Sequence, residues 1–371
     1  MDNFIPGLKL SEYFYNEIIQ PMLFEIFPGL TYSAARLDWG SDVIGFDTPQ
    51  SMDHGWGPKL TLFLTETDFD HYHDILDDYF AHHLPFECHS FPTNFGEPLA
   101  DGGVMSLKKT YPIQHGITIT TIEKFFLNYM GVNICHSLTP TVWLTIPQQC
   151  LRTMRAGRIF YDGLNTLSNL RQQFDWYPHD LWLYLMANQW QRINQEEPFI
   201  GRTSSVGDTL GSRLIAARLT HNLMSLTMLM EQQYAPYIKW FGSAFQQLSI
   251  APQLTPIFTD ILNSTDWHTI EAHLTSAYLL VAAAHNSLRV TPFIEPQVSS
   301  FHNRPYLVPH SARFVTALLA QIKDPLVHAL PPHLGGIDQI VDNTDLLESM
   351  PRCQLLKRLY QDIETTQHAR E

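Results

Sequence analysis

Cysteine is scarce in this chain and follows no pattern. Its four cysteines, Cys88, Cys135, Cys150 and Cys353, form no CxxC pair and no regular spacing, which excludes a zinc ribbon and suggests ordinary reduced thiols rather than a disulfide framework. Charge is sparse as well. Only 16% of residues are Asp, Glu, Lys or Arg, and 23 basic against 37 acidic residues leave 23 − 37 = −14. An acidic balance of that size argues against broad electrostatic binding to nucleic acid or to an anionic membrane surface. No uncharged apolar run is long enough to cross a bilayer, and the amino terminus lacks a basic segment followed by an apolar core. A soluble, cytoplasmic protein with no membrane partner is therefore expected. Fixed-period repeats and low-complexity tracts are also missing, and the 19 glycines and 24 prolines are spread rather than clustered.

What remains is a chain of 371 residues, 44% hydrophobic and 12% aromatic, with material for two packed domains. Ser11 reads as the N-cap of a first helix, with Phe14, Ile18, Met22 and Ile26 along one stripe and a bend at Pro21. The segment from Asp68 to Leu84 predicts an amphipathic helix burying Phe69, Tyr72, Leu76, Tyr79, Phe80 and His83, with four aspartates facing water. Its His71 and His73 stand two apart and face different sides, so a solvated acidic face is expected there rather than a metal site. A loop from Glu87 to Tyr111, a strand at His115 to Ile122, a helix from Val142 to Arg155 and a strand at Gly157 to Gly163 complete the first domain. From Pro178 the pattern turns helical: Trp182, Leu185, Met186, Gln189 and Ile193 form one stripe, and long helices are predicted over Asp208 to Gln233 and Trp267 to Leu288. The expected domains are 1–172 and 173–371, an α+β chain with an all-helical second half.

The stretch from which chemistry can be argued is Gly40 to Leu64, GSDVIGFDTPQSMDHGWGPKLTLFL. It reads as a strand, a glycine turn, a loop and a second strand: Leu30 to Leu37 ahead of it can extend, and the second strand is the alternating, half-buried run Lys59-Leu60-Thr61-Leu62-Phe63-Leu64. Gly40, without a side chain, is where a phosphate could come close, and the Ser41 hydroxyl with nearby N–H groups could hold it. Asp53 lies at the entrance to the second strand and suits Mg²⁺ as a hard oxygen ligand, with Asp47 a further metal candidate. Lys59 could meet a phosphate.

A Gly-Ser pair closing one strand, followed by an acidic element opening the next, resembles the signature of the DNA polymerase beta-like nucleotidyltransferase superfamily. With the later segments GRIFYDG, YPHDLWLYLMANQWQRINQEEPFIGRTSSVGDTLGSR and YAPYIKWFGSAF, the chain resembles a family of nucleotidyltransferase-like proteins described as a domain of unknown function. The resemblance implies a nucleotidyltransferase-like α/β domain followed by a helical bundle, with a ligand cleft between them. It supplies no substrate; Gly40, Ser41 and Asp53 themselves lead to the expectation of a Mg²⁺-dependent transfer of a nucleoside monophosphate from a nucleoside triphosphate to a hydroxyl on a small molecule, an RNA end or a protein. In such a cleft Arg202 and Lys239 would contact phosphates, and Glu197 or Asp208 would act as base on the acceptor.

The chain also departs from that pattern. Superfamily members carry a second carboxylate at the alternate position after the first and a third on a later strand; here Gly55 follows Asp53, and the later strand offers Thr118 and Thr120. Catalysis is therefore expected to be attenuated. The alternative is a catalytically inactive nucleotide-binding or regulatory protein of the same fold.

Overall fold

The computed structural model describes residues 4–52, 55–96 and 104–361. They form two compact units, the first taking the chain up to residue 137 together with 149–175, the second taking 138–148 and everything from Trp176 onward. The chain is of the expected α+β class. No helix among the described residues is long and apolar enough to cross a membrane.

The first unit is built on a four-stranded mixed sheet. Its strands are β1 (Tyr32–Arg36), β2 (Lys59–Leu64), β3 (Gly116–Thr121) and β4 (Arg158–Asp162), in the spatial order β3-β2-β1-β4. β1 runs antiparallel to both neighbours, pairing Ala34 with Leu62 and Ser33 with Asp162, whereas β2 and β3 run parallel with Lys59 beside Gly116 and Thr61 beside Thr118. Because side chains alternate across a strand, Leu60, Leu62 and Leu64 enter the same core as Ile117 and Ile119. Lys59, Thr61, Phe63, Thr118 and Thr120 take the other face, where Phe63 meets Phe125 edge-on at 5.2 Å.

Helices cover the core face. Helix α1 (Gly7–Phe14) passes through a widened π turn, Tyr15–Ile19, and continues as Gln20–Ile26. It starts earlier than the Ser11 cap that was expected: Pro6 precedes its first turn, and Ser11 is buried inside it. The π turn ends where Pro21 removes a backbone donor, so the expected irregularity appears as a widened turn. Helix α2 (Glu66–His83) begins where the Thr65 hydroxyl accepts from the Asp68 N–H at 3.1 Å, and it buries Leu76 and Phe80 against the sheet while His82 and His83 remain exposed. Helix α3 (Ile122–Met130) follows β3 directly.

The single helix expected over Val142 to Arg155 is two. Pro140–Leu144 ends ahead of Pro147, which lacks an N–H and disfavours helical backbone at Ile146, and α4 (Gln148–Ala156) starts after it. The first piece belongs to the second unit, the second piece almost entirely to the first.

The second unit is helical apart from one hairpin, Ser299–Phe301 with Arg304–Val308, that no pattern announced. Its centre is α5 (His179–Glu196), packed against α6 (Thr209–Met230) and against α8 (Ala312–Leu319); α7 (Trp267–Ser287) packs on α6. The stripe expected on α5 is buried. Trp190 stacks on Phe314 at 4.2 Å, and the one amide in the stripe, Gln189, is paired with Asn222 and with Gln339. A buried amide without partners would cost more than it contributes, and these bonds account for its place in an apolar stripe.

Leu62, fully buried on the core face of the central strand, provides a test of this packing. Leu62→Ala should lower unfolding stability by about 3 kcal/mol, whereas Thr120→Ala on the opposite face should cost less than about 1 kcal/mol. Urea denaturation of both variants measures the difference, and equal losses would show that the faces are assigned the wrong way round.

Candidate functional site

The end of β1 and the starts of β2 and β3 lie at one edge of the sheet. Arg36, the last residue of β1, is only 1% exposed, and a guanidinium cannot lose its charge, so burial demands anionic and carbonyl partners. The turn that follows supplies them. Asp42 accepts from Arg36 Nε at 3.2 Å and from Nη2 at 3.3 Å, the Trp39 carbonyl accepts from Nη2 at 3.0 Å, and Asp38 pairs with Nη1. To bring Asp42 back over Arg36 the chain must pass very close to itself at Gly40. A Cβ there would stand 1.9 Å from the nearer Asp42 oxygen and 2.9 Å from Arg36 Nη2. The space that the sequence suggested for a phosphate at Gly40 is thus filled by the protein's own carboxylate.

Ser41 is different. Its carbonyl closes the turn by accepting from the Phe46 N–H at 2.9 Å, and its half-buried hydroxyl makes no hydrogen bond among the described residues. Asp47, the second metal candidate, is committed elsewhere: one of its oxygens accepts from the Gly7 N–H at 2.7 Å and from the Trp56 indole at 2.8 Å. That contact seats a carboxylate at the start of α1, where the helix dipole favours it.

Lys59 opens β2 and is half-buried, its ammonium 5.4 Å from the centre of the Phe95 ring. It forms no ion pair with any described residue. Burial pushes its pKa down to about 8, the nearby Arg36 charge pushes the same way, and Asp42 opposes. Its stem lies across Gly116 on β3, where a Cβ would meet the Lys59 Cγ at 2.7 Å and the Pro58 carbonyl at 2.9 Å. Lys59, Phe95, Gly116 and Thr118 help to line a cavity of about 430 Å³. On its wall His115 is held between the Asp77 carbonyl at 3.2 Å and the Ile117 N–H at 3.2 Å, and burial lowers its pKa, so its ring is a neutral strut. Arg152, from α4, lies over the Phe46 ring at 5.3 Å, with its pKa lowered to about 10 by burial and then by Arg155. Arg36, Asp42 and Arg152 were not singled out in the sequence. The signal available was the spacing Arg36-x₅-Asp42 around Gly40, which reads as a loop until the guanidinium is known to be buried.

Asp53 lies outside the described residues. Among those described, the carboxylates at this edge do not fit a protein-held Mg²⁺: Asp42 is spent on Arg36, Asp47 on two N–H donors, and no group of three His, Cys, Asp or Glu residues could hold a metal. Gly55 and Thr118, standing where acids were sought, add no oxygen anion.

The remaining candidates belong to the second unit. Arg202 is exposed with its guanidinium over Phe199 at 5.6 Å, and Lys239 is exposed over Trp240 at 5.2 Å. Asp208 caps α6 by accepting from the Gly211 N–H at 2.7 Å. Glu197, at the end of α5, is 6% exposed and accepts from the Ser311 N–H at 3.1 Å; burial raises its carboxyl to about 7 despite that bond. Of the two acids read as bases, Asp208 caps α6 and Glu197 links the end of α5 to the start of α8, each through a helix-terminal N–H. The polar Glu231 likewise holds the Ser249 and Ile250 N–H groups.

Residues 143–241 match a family model described as Domain of unknown function (DUF4037). That stretch lies outside the Gly40 to Leu64 segment. Among solved structures, the chain is similar to a nucleotidyltransferase-like protein from Exiguobacterium sibiricum 255-15, with a TM-score of 0.32 and 11% identity, covering 77% of this chain and 82% of that one. The superposition is too loose to transfer anything between the two. No curated protein matches the chain.

The Arg36 clamp sets the turn, and a substitution at Gly40 should break it. Gly40→Ala places a methyl group on Asp42 and should cost about 3 kcal/mol or more, the scale of a broken buried ion pair. Gly29→Ala, with nothing within 4 Å of its added Cβ, is the control and should be near neutral. Equal stability of the two variants in denaturant would contradict the clamp.

Proposed function

We propose that the first unit binds a nucleoside triphosphate at the edge where β1 ends and β2 begins, its phosphates held by the Ser41 hydroxyl and the Lys59 ammonium. The observation that carries this reading is Lys59, a half-buried cation beside the turn with no carboxylate partner among the described residues, at the wall of a cavity. The chain as a whole is acidic, with a balance of −14, which favours a small anionic ligand over a polyanion. Magnesium, on this reading, comes with the nucleotide, bound by its phosphates.

Transfer would require an acceptor oxygen to bond the α-phosphorus while the bond to pyrophosphate breaks and the hydroxyl proton passes to a base. At the turn itself, Asp42 is engaged by Arg36 and Asp47 by two N–H donors, so neither is a free base for that proton. The proposal is accordingly a nucleotide-binding unit in which nucleotidyl transfer to a small molecule, RNA end or protein is slow or nil. Arg202 and Lys239, exposed in the second unit, have no part in it.

Thermal unfolding with ATP, GTP, CTP and UTP, each at millimolar concentration with Mg²⁺, tests binding. A ligand at ~100 times its dissociation constant adds about 2.7 kcal/mol and should raise Tm by several degrees. Lys59→Ala should remove the shift. A lysine whose pKa is lowered to about 8 is charged below that pH and neutral above it, so affinity should fall as pH rises through about 8, and Lys59→Arg should bind without that fall. No shift with any nucleotide, or a shift indifferent to Lys59→Ala, would overturn the binding reading. Brisk transfer of labelled nucleotide to an acceptor in a cell extract would overturn the second half alone.

A further inference from the structure

Lys59 has a property that phosphate binding does not use. Its amine faces a cavity and forms no ion pair with any described residue. Among the described residues, the ionisable groups around it are Arg36 and Asp42 from β1 and its turn, Asp77 from α2, and His115 just before β3. Asp42 is clamped by Arg36 and Asp77 lies 3.4 Å from His115 through its side chain, so neither anion is an ion-pair partner of the ammonium. The apolar part of the wall is Phe95, Ile113 and Ile117. A lysine desolvated among apolar groups next to another cation is the arrangement in which the neutral, nucleophilic amine becomes accessible near neutral pH.

We infer that Lys59 is a nucleophilic amine that condenses with a small aldehyde or ketone entering this cavity. In this step the Nζ lone pair adds to the carbonyl carbon, proton transfer gives a carbinolamine, and water departs to leave an imine. Atoms and electrons balance with no oxidant, reductant or activated leaving group, which is why a carbonyl compound is the class that this site suits. The cavity of about 430 Å³ has room for a compound of several carbons. Burial and Arg36 both lower the amine's proton affinity, and Gly116 keeps the stem in place: any side chain there would collide with it. The inference does not rest on nucleotide binding.

The experiment treats the whole protein with propanal and cyanoborohydride, which reduces each imine to a stable propylamine, and follows every lysine by peptide mass spectrometry. Lys9 and Lys124 are the internal references, paired with Glu12 at 2.8 Å and Glu66 at 3.6 Å. At about pH 7.5, Lys59 should be modified on the order of 10-fold faster than either. Its rate should level off above about pH 9 while theirs keep rising. Gly116→Ala, checked for folding by circular dichroism, should slow Lys59 selectively. Modification of Lys59 no faster than Lys9 or Lys124 in the folded wild type would overturn the inference. Added ATP should shield Lys59 if the phosphate reading holds; fast labelling without shielding would keep the reactive amine and discard the nucleotide.

Discussion

A buried guanidinium governs the edge of this sheet. Arg36 is the last residue of a strand whose every position is buried, and its charge must be met within a few residues or the strand could not end where it does. Asp38, the Trp39 carbonyl and Asp42 meet it, and to do so the chain turns at Gly40. The clamp has consequences on both sides. It consumes the acid of the Gly-Ser-Asp turn, which therefore cannot serve a metal, and it places a fixed positive charge near Lys59, which lowers the proton affinity of that amine. What the turn leaves exposed to a ligand is the Ser41 hydroxyl and the Lys59 ammonium.

Other carboxylates are drawn into the fold in the same way. Asp47 fastens the start of α1 to Trp56, Asp208 and Glu231 serve helix ends, and Glu197 joins the end of α5 to the start of α8. Backbone N–H groups at helix ends need acceptors, and in this chain the acids supply them at the expense of metal or base roles.

The elements set by local pattern were legible. The alternation in Lys59 to Leu64 marked a strand, though one buried on both faces rather than half-buried, and the spacing of Phe69, Tyr72, Leu76, Tyr79 and Phe80 marked α2, because both periodicities follow from backbone geometry alone. The start of α1 was misplaced because Ser11 looks like a cap, although Pro6 precedes the first turn and Ser11 packs inside it. The helix across Val142 to Arg155 was read through Pro147, where the chain breaks it. The site was only half legible. Gly40 was read as a place where a phosphate comes close, whereas the anion next to it is the chain's own Asp42, which depends on Arg36 being buried. Glu197 takes its partner, Ser311, from 114 residues away, a pairing that no local spacing reveals.

The most direct measurement follows the Lys59 ammonium itself by nitrogen NMR of lysine-labelled protein, assigned with Lys59→Arg, through a pH titration with and without Mg-ATP. The account predicts a free-protein midpoint at about 8 that moves upward when the triphosphate is bound, because nearby phosphate charge favours the protonated amine. A midpoint at the ordinary lysine value of about 10.4, or one that Mg-ATP leaves unmoved at saturating concentration, would contradict it.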